Sequence, residues 1–122
     1  MDSSKSATVR VKEAIEKHAF IRGSEADIMS RSRGFNESGW LFDLRNILLE
    51  SGTMENVASL FWDSYRGKVP IQIGSIETGG IALVAGLVYA GHAGGRQRDV
   101  SGFFIRKSRK KDGLLKMIEG QL

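Results

Sequence analysis

Val69 to Ala90 reads VPIQIGSIETGGIALVAGLVYA, and Phe103 to Lys107 reads FFIRK. The opening residues, Val69 to Ile73, are a short β-branched run of the kind that forms strands. A glycine-bearing loop, Gly74 to Gly80, separates this run from Ile81 to Ala90, which is apolar and long enough for a helix. With the second apolar run, this order predicts a βαβ unit joined by a right-handed crossover. Ligands of such sheets bind beyond the carboxyl ends of the strands, so we expect a site there.

Length and composition fit one small domain of ordinary soluble composition, since the chain has 122 residues, 41% of them apolar and 26% charged. The 18 basic and 14 acidic residues give a net charge of +4, which favours anionic ligands without identifying nucleic acid as the partner. The chain has no cysteine, which excludes disulfides and thiolate metal sites and is compatible with a reducing cytoplasm.

No segment of the sequence predicts a membrane span or a signal peptide. The longest apolar run, Ile81 to Ala90, is too short to cross a bilayer. Met1 to Ala19 is too polar to contain the apolar part of a signal peptide. We therefore expect a cytoplasmic protein without a membrane partner.

The first part of the chain predicts a helix followed by a strand. From Ala7 to Ala19 apolar residues recur at helical spacing, and His18 falls on the same side, where we expect a half-buried residue rather than a catalyst. The aromatic and aliphatic segment Trp40 to Arg45 predicts a strand or a strand-like approach to the core. In an extended chain Asp43 and Arg45 share one face, which predicts an ion pair at the surface.

A second helix is predicted from Thr53 to Gly67. Thr53 is a good residue to cap a helix at its start, and Gly67 suits the position that ends the helix before the strand at Val69. The apolar residues that recur at helical spacing predict its buried stripe: Met54, Val57, Leu60, Phe61 and Tyr65.

The glycine-bearing loop is the first signal of chemistry. Gly74 and the pair Gly79-Gly80 bracket a turn ahead of a helix, where backbone N–H groups and the positive end of the helix dipole can converge on an anion. The loop is neither the G-x-G-x-x-G fingerprint nor a P-loop. Because many strand-to-helix turns contain glycine for steric reasons alone, the loop by itself favours a structural role.

The second signal is a cluster of five basic side chains between Arg106 and Lys111, closed by Asp112-Gly113. Charge runs of this kind are usually solvated loops. At the carboxyl end of a strand, beside a helix N-terminus, they would also stabilise a pyrophosphate leaving group. Because both signals fall at one edge of the predicted sheet, they together favour an anion site.

Three segments in register resemble the amino-terminal half of orotate phosphoribosyltransferase and its relatives among the type I phosphoribosyltransferases. They are LFDLR from Leu41, GSIETGGIAL from Gly74, and FIRKSRKKDG from Phe104, the last leading to IEG at Ile118. The resemblance implies an α/β, Rossmann-like fold, namely a partial phosphoribosyltransferase-like parallel sheet with flanking helices. It covers nearly the whole chain, more loosely before Gly39.

The resemblance also implies a reaction. A nitrogen of orotate or a related pyrimidine base would displace pyrophosphate from phosphoribosyl pyrophosphate, with Mg²⁺ carried by the substrate phosphates. A homodimer is implied, because the mobile loop of the family often comes from the neighbouring subunit. No residue of the chain is assigned as a metal ligand.

Site residues follow from the same resemblance. Lys110 and Asp112 fall on the mobile loop and would be catalytic, with Lys110 stabilising charge on the leaving group. Leu41 and Phe42 would pack against the base. Thr78 stands where the best-known members have lysine, and Asp112 where they have histidine, so the substrate or the rate could differ. The residues expected to bind pyrophosphate are Glu77, Thr78, Gly79, Gly80, Arg106, Lys107 and Lys110.

The domain over residues 1–122 is expected to be incomplete. Residues 1–45 would supply a helix and a hood on the base side, and residues 53–122 the start of the α/β core. The ribose-phosphate motif of the family contains two adjacent acidic residues, and no two of the 14 acidic residues here are adjacent. Three explanations stay open: a fragment of a longer product, a split enzyme with a complementing C-terminal half, and a stand-alone remnant.

The alternative from another class is a non-catalytic binding or regulatory protein that recognises a phosphorylated ligand or RNA through its basic edge. RNA is the weaker of the two ligands. A platform for single-stranded nucleic acid interleaves aromatic and basic side chains, whereas Trp40, Phe42 and Phe104 lie outside the basic cluster in sequence.

Overall fold

The computed structural model describes residues 5–23, 40–93, 99–108 and 117–120. The chain divides into an N-terminal unit, Met1–Asn56, and a C-terminal unit, Val57–Leu122. Helices and strands are mixed along the chain, which confirms the predicted α/β class. Within the described ranges, no helix combines the length and apolar character that crossing a membrane requires.

The N-terminal unit begins with helix α1, Ala7–Ala14, which continues as a π-helical turn, Ile15–Ala19. The Ser6 hydroxyl caps α1 by accepting a hydrogen bond from the Val9 N–H at 3.4 Å. The predicted first helix is therefore present over its full range. His18 is exposed, so its expected half-buried position is wrong. The wider π turn changes the direction in which its residues point.

Two short strands follow in the same unit. Strand β1, Phe20–Arg22, pairs antiparallel with β2, Trp40–Phe42. The strand predicted from Trp40 onward is thus present but ends at Phe42, and the four-residue helix α2, Arg45–Leu48, begins soon after it. The segment predicted as one strand is a strand, a turn and the start of a helix.

Asp43 explains why the second strand ends early. Its N–H donates to the Ala19 carbonyl at 2.8 Å, and its carboxylate accepts a hydrogen bond from the Arg45 N–H at 3.2 Å. An aspartate that accepts from the N–H two residues later favours a turn over an extended chain. Ala19, Ile47 and Leu48 are buried and form the core around this turn.

Helix α3 spans Ser51–Tyr65, and the division between the two units falls within it. The helix begins before Thr53 because the Glu50 carboxylate accepts hydrogen bonds from the Gly52 N–H at 2.8 Å and the Thr53 N–H at 2.7 Å. These bonds lower the pKa of Glu50. The predicted cap at Thr53 is therefore wrong, and Glu50 has that role.

Helix α3 ends as predicted, but a different face of it is buried. Gly67 has a φ of 76°, the left-handed conformation predicted for the end of this helix. The most buried residues are Ala58 and Trp62, which the predicted stripe omitted, whereas Tyr65 is exposed. Trp62 was not predicted to be buried, because it follows Phe61 directly and so falls outside the stripe of helical spacing.

The C-terminal unit contains a three-stranded sheet in the order β3-β4-β5. Strands β3, Ile71–Ile76, and β4, Val100–Ile105, are parallel, and helix α4, Ile81–Ala93, connects them. Strand β5, Ile118–Gly120, pairs antiparallel with β4 and was not predicted as a strand. The βαβ unit is confirmed, within a sheet that is mixed rather than purely parallel.

Strand β3 is longer than the predicted run, which ended at Ile73. Gly74, Ser75 and Ile76, predicted as loop, are paired with the three last residues of β4. Position 74 of the strand requires glycine, because the ring of Phe103 occupies the place that a Cβ would take. This glycine is a packing residue, as glycines inside strands often are.

Helix α4 packs on the sheet through the core of the C-terminal unit. The indole N–H of Trp62 donates to the Leu87 carbonyl at 3.0 Å. A Cβ on Gly91 would lie 2.7 Å from the Trp62 ring, so glycine allows the two helices to approach. Burial of α4 is not complete, since Tyr89 is 72% exposed.

Candidate anion site

The turn Glu77–Gly80, called the anion turn below, connects the carboxyl end of β3 to helix α4. The Ile81 N–H donates to the Thr78 carbonyl at 3.2 Å, and the Val84 N–H donates to the Gly80 carbonyl at 3.0 Å. The first N–H groups of a helix have no acceptor within the helix. Those of Ile81 and Val84 are satisfied by the turn itself, and the helix dipole at the start of this 13-residue helix favours an anion beside the turn.

The two glycines of the anion turn differ in their surroundings. A Cβ on Gly80 would lie 2.5 Å from the Ser75 Cβ, so glycine is required there by packing. A Cβ on Gly79 would meet nothing within 4 Å, and its backbone is not left-handed. Steric crowding therefore explains why position 80 is glycine, and it does not explain why position 79 is glycine. Open space beside Gly79 is compatible with a bound anion.

Ser75 lies beneath the anion turn and was not singled out from the sequence. Its Oγ is buried and has no hydrogen-bond partner among the described residues. It lies against the position of Gly80, as the close approach of a Cβ there shows. The serine at this place in the strand carries no sequence signal, because its neighbours are known only from the fold.

Glu77 connects the anion turn to the end of β4. Its Oε1 accepts a hydrogen bond from the Lys107 N–H at 2.7 Å. Its own N–H donates to the Ile105 carbonyl at 3.0 Å. The carboxylate is therefore occupied by backbone, and two of the residues expected to bind pyrophosphate, Glu77 and Lys107, contact each other directly.

Arg106 and Lys107 begin the basic segment, Arg106 to Lys111. Lys107 is exposed, whereas the Arg106 side chain is 28% exposed and its Nη1 lies 3.8 Å from the Glu119 Oε1. The Arg106 Nε is buried without a partner among the described residues. The structure thus brings the start of the basic segment to the anion turn. The two residues expected to be catalytic, Lys110 and Asp112, lie outside the described residues.

The expected base side lies on the β1–β2 hairpin of the N-terminal unit. Because residues alternate along a strand, Leu41 and Phe42 point to opposite faces. Phe42 is 49% exposed and shares its face with Phe20 and Trp40, whose ring centroids lie 5.1 and 5.2 Å from its own. The guanidinium of Arg22 lies 4.7 Å from the Phe20 ring centroid. The three rings are tilted against one another and form a partly exposed aromatic cluster.

The predicted ion pair between Asp43 and Arg45 is present, but its expected position at the surface is wrong for Asp43, which is buried. The Arg45 Nε and Nη2 donate to the two carboxylate oxygens of Asp43 at 2.9 and 3.2 Å. These hydrogen bonds from Arg45 hold the pKa of Asp43 below its ordinary value. The pair fixes the turn between β2 and α2 rather than lying along an extended strand, because Arg45 already belongs to the helix.

Among the residues that the structure describes, no three His, Asp or Glu side chains gather into a cation site. The carboxylate within the anion turn, that of Glu77, already accepts a backbone hydrogen bond. A Mg²⁺ ion that arrives on substrate phosphates needs no such cluster. Mg²⁺ carried by the substrate phosphates stays a prediction.

No protein-family model matches the chain, and no curated protein matches it in sequence. Among solved structures, the chain is similar to the crystal structure of Mycobacterium tuberculosis H37Rv orotate phosphoribosyltransferase in complex with Fe(III) dicitrate. The TM-score is 0.66 and the sequence identity 18%, over 95% of this chain and 61% of that chain. The similarity confirms the expected phosphoribosyltransferase-like α/β fold. The chain spans less than two thirds of the length of the structure that it matches.

Proposed function

We propose that the chain contributes the pyrophosphate-binding and base-binding parts of a phosphoribosyltransferase that acts on orotate or a related pyrimidine. The observation that carries this proposal is the contact between the anion turn and the start of the basic segment, made by Glu77 and Lys107 at 2.7 Å. It places backbone N–H groups and cationic side chains at the carboxyl edge of a parallel strand pair, where ligands of α/β sheets bind. The likeness in fold supports the proposal.

In the proposed reaction, a nitrogen of the base forms a bond to C1 of the ribose as the bond from C1 to the pyrophosphate oxygen breaks, and the proton of that nitrogen passes to pyrophosphate or water. The leaving group gains negative charge, which N–H groups of the anion turn and the side chains of Arg106 and Lys107 would stabilise. Lys110 would add a further cation, and Asp112 and Thr78 would adapt the site to its substrate. Mg²⁺, on the phosphates, supplies additional charge neutralisation when bound.

The base would bind at the aromatic cluster of the hairpin. Phe42 and Trp40 present partly exposed rings on one face, and aromatic rings stack on planar bases. Arg22, on the same face, would pair with the carboxylate of an acidic base such as orotate. Leu41 would support the strand from its other face.

Assembly is part of the proposal, since a complete site also needs groups that hold the ribose and its phosphate. A complementing C-terminal half would supply them, and a homodimer would bring the mobile loop of a neighbouring subunit to the site. Apolar surface supports such a partner. Helix α4 and the adjacent sheet face line an open pocket of about 600 Å³, and the exposed Tyr89 is among its lining residues. The cytoplasm is the proposed setting, in keeping with the absence of cysteine.

Calorimetric titration of the full chain with inorganic pyrophosphate, with and without Mg²⁺, tests the anion site. We expect binding, and we expect Gly79→Ala to weaken it about tenfold because the added methyl group enters the open space beside the turn. The melting temperature should not change, since a Cβ at that position meets nothing within 4 Å. Absence of binding by a folded wild-type chain would contradict the proposed site.

Lysine variants separate a local contact from general charge attraction. Lys107→Ala should weaken pyrophosphate binding about tenfold, and Lys68→Ala, which removes an equal charge from an exposed residue of the same unit, should leave it nearly unchanged. Equal losses in the two variants would indicate non-specific attraction.

The second candidate, a module for RNA, is favoured only by the basic segment. Its distinguishing property is a steep loss of affinity with added salt, because binding releases counterions from several phosphates. Binding of single-stranded RNA with such a slope, unaffected by phosphoribosyl pyrophosphate, would support it over the phosphoribosyltransferase.

A further inference from the structure

The Glu77 side chain replaces a backbone acceptor at the end of the parallel strand pair. In a regular parallel ladder, each paired residue makes two hydrogen bonds to the partner strand. Its N–H donates to the carbonyl of one partner residue, and its own carbonyl accepts from the N–H of the partner residue two positions later. The Glu77 N–H donates to Ile105 at 3.0 Å, and the Lys107 N–H is two residues further. That N–H donates at 2.7 Å to the Glu77 carboxylate instead.

We propose that Glu77 is a positioning residue, a clasp that holds the start of the basic segment against the anion turn, and is not a ligand of the anion. This inference rests on the proposed function, because the anion site is what the clasp would serve. The clasp joins residues that are 30 apart in sequence, one on each side of the site. Its effect would be to fix the backbone from which the basic side chains extend before any ligand binds.

The charge of Glu77 and its positioning role should change the affinity for pyrophosphate in opposite directions, which makes the proposal testable. A carboxylate beside a pyrophosphate repels it, so removing the charge alone should strengthen binding or leave it unchanged. Loss of binding in Glu77→Ala that is not shared by Glu77→Gln would therefore come from lost positioning. Glu77→Gln keeps an oxygen that can accept from the Lys107 N–H, whereas Glu77→Ala removes the acceptor and leaves that N–H to water.

The hydrogen bond between Glu77 and the Lys107 N–H is measured without any ligand, as the protection of the Lys107 amide from hydrogen exchange in the full chain. We expect its protection to fall about tenfold or more in Glu77→Ala and to be largely kept in Glu77→Gln. Glu55→Ala is the matched control, since Glu55 is an exposed carboxylate on helix α3 and its loss should not affect Lys107. Unchanged protection of Lys107 in Glu77→Ala overturns the inference.

Pyrophosphate titration of the same variants then tests positioning. We expect Glu77→Gln to bind at least as tightly as the wild type and Glu77→Ala to bind about tenfold more weakly. Equal weakening of both variants, dependent on Mg²⁺, would make the carboxylate a ligand of a phosphate-bound ion and overturn the inference. Tight binding by Glu77→Ala would overturn it as well.

Failure of the proposed function gives a different result. If the wild-type chain does not bind pyrophosphate, the anion site is contradicted, and the exchange measurement alone supports or overturns the clasp. If the wild type binds and Lys107 exchanges freely, the anion site stands and the clasp does not.

Discussion

Asp43 shows how a single residue determines the course of the chain. Its side chain is 8% exposed and binds both the guanidinium and the N–H of the residue two positions later. Spacing alone predicted the pair with Arg45. The turn was not predicted, because a carboxylate that pairs with a neighbour two residues away can do so in a strand or in a turn.

The pair predicts a pH-dependent contribution to stability. The pKa of Asp43 lies below its ordinary value of 3.8 in the fold, so the stabilisation is complete above that value and is lost as the pH falls through the lower, folded value. Arg45→Ala should cost about 1 kcal/mol at neutral pH, a modest amount because solvent screens an exposed guanidinium. The cost should shrink below pH 3.8.

Thermal unfolding as a function of pH measures this effect. Arg66→Ala is the control, because Arg66 and Asp63 form an ion pair in which both side chains are mostly exposed. A loss for Arg45→Ala that is the same at every pH would show that packing, and not the charge on Asp43, produces it.

At the scale of elements, the packing of α3 against α4 depends on Trp62 and Gly91. The indole fills the space left by the missing side chain of the glycine and donates to the Leu87 carbonyl. The sequence predicted both helices. It did not predict which face of α3 is buried, since the choice of Trp62 over Tyr65 depends on where α4 lies.

Trp62→Phe should destabilise the chain by about 1 to 3 kcal/mol, because it removes part of a buried ring and a hydrogen bond from the core. Trp40→Phe is the matched control, since Trp40 is 40% exposed and should tolerate the change with a much smaller loss. Denaturant unfolding compares the two variants. Equal losses would mean that Trp62 does not anchor the helix pair.

At the scale of the whole molecule, the chain has the fold of one part of a longer protein chain. It matches 61% of the orotate phosphoribosyltransferase chain, and its sequence lacks the adjacent acidic pair expected to hold the ribose. Under the proposed function, binding of pyrophosphate would need only the anion turn and the basic segment, whereas turnover would need the donor to be positioned at both ends.

We expect these 122 residues by themselves to bind pyrophosphate but not to convert orotate and phosphoribosyl pyrophosphate to product. The ultraviolet absorbance of orotate, followed at high protein concentration with Mg²⁺, measures turnover, and sedimentation reports the assembly state in the same sample. Consumption of orotate above the protein-free rate would show that the chain carries a complete site.

The sequence by itself determined the first helix, helix α3, the βαβ unit and the two segments from which we propose that the anion site is built. These features follow from local pattern, because the spacing of apolar residues and the positions of glycines indicate the structure of each segment by itself. Only the tertiary structure decided that β3 continues through Gly74 to Ile76, that Gly80 rather than Gly79 is needed for packing, and that Glu77 binds the Lys107 N–H. Each of these depends on atoms from residues distant in sequence, and no local pattern records which distant atoms meet.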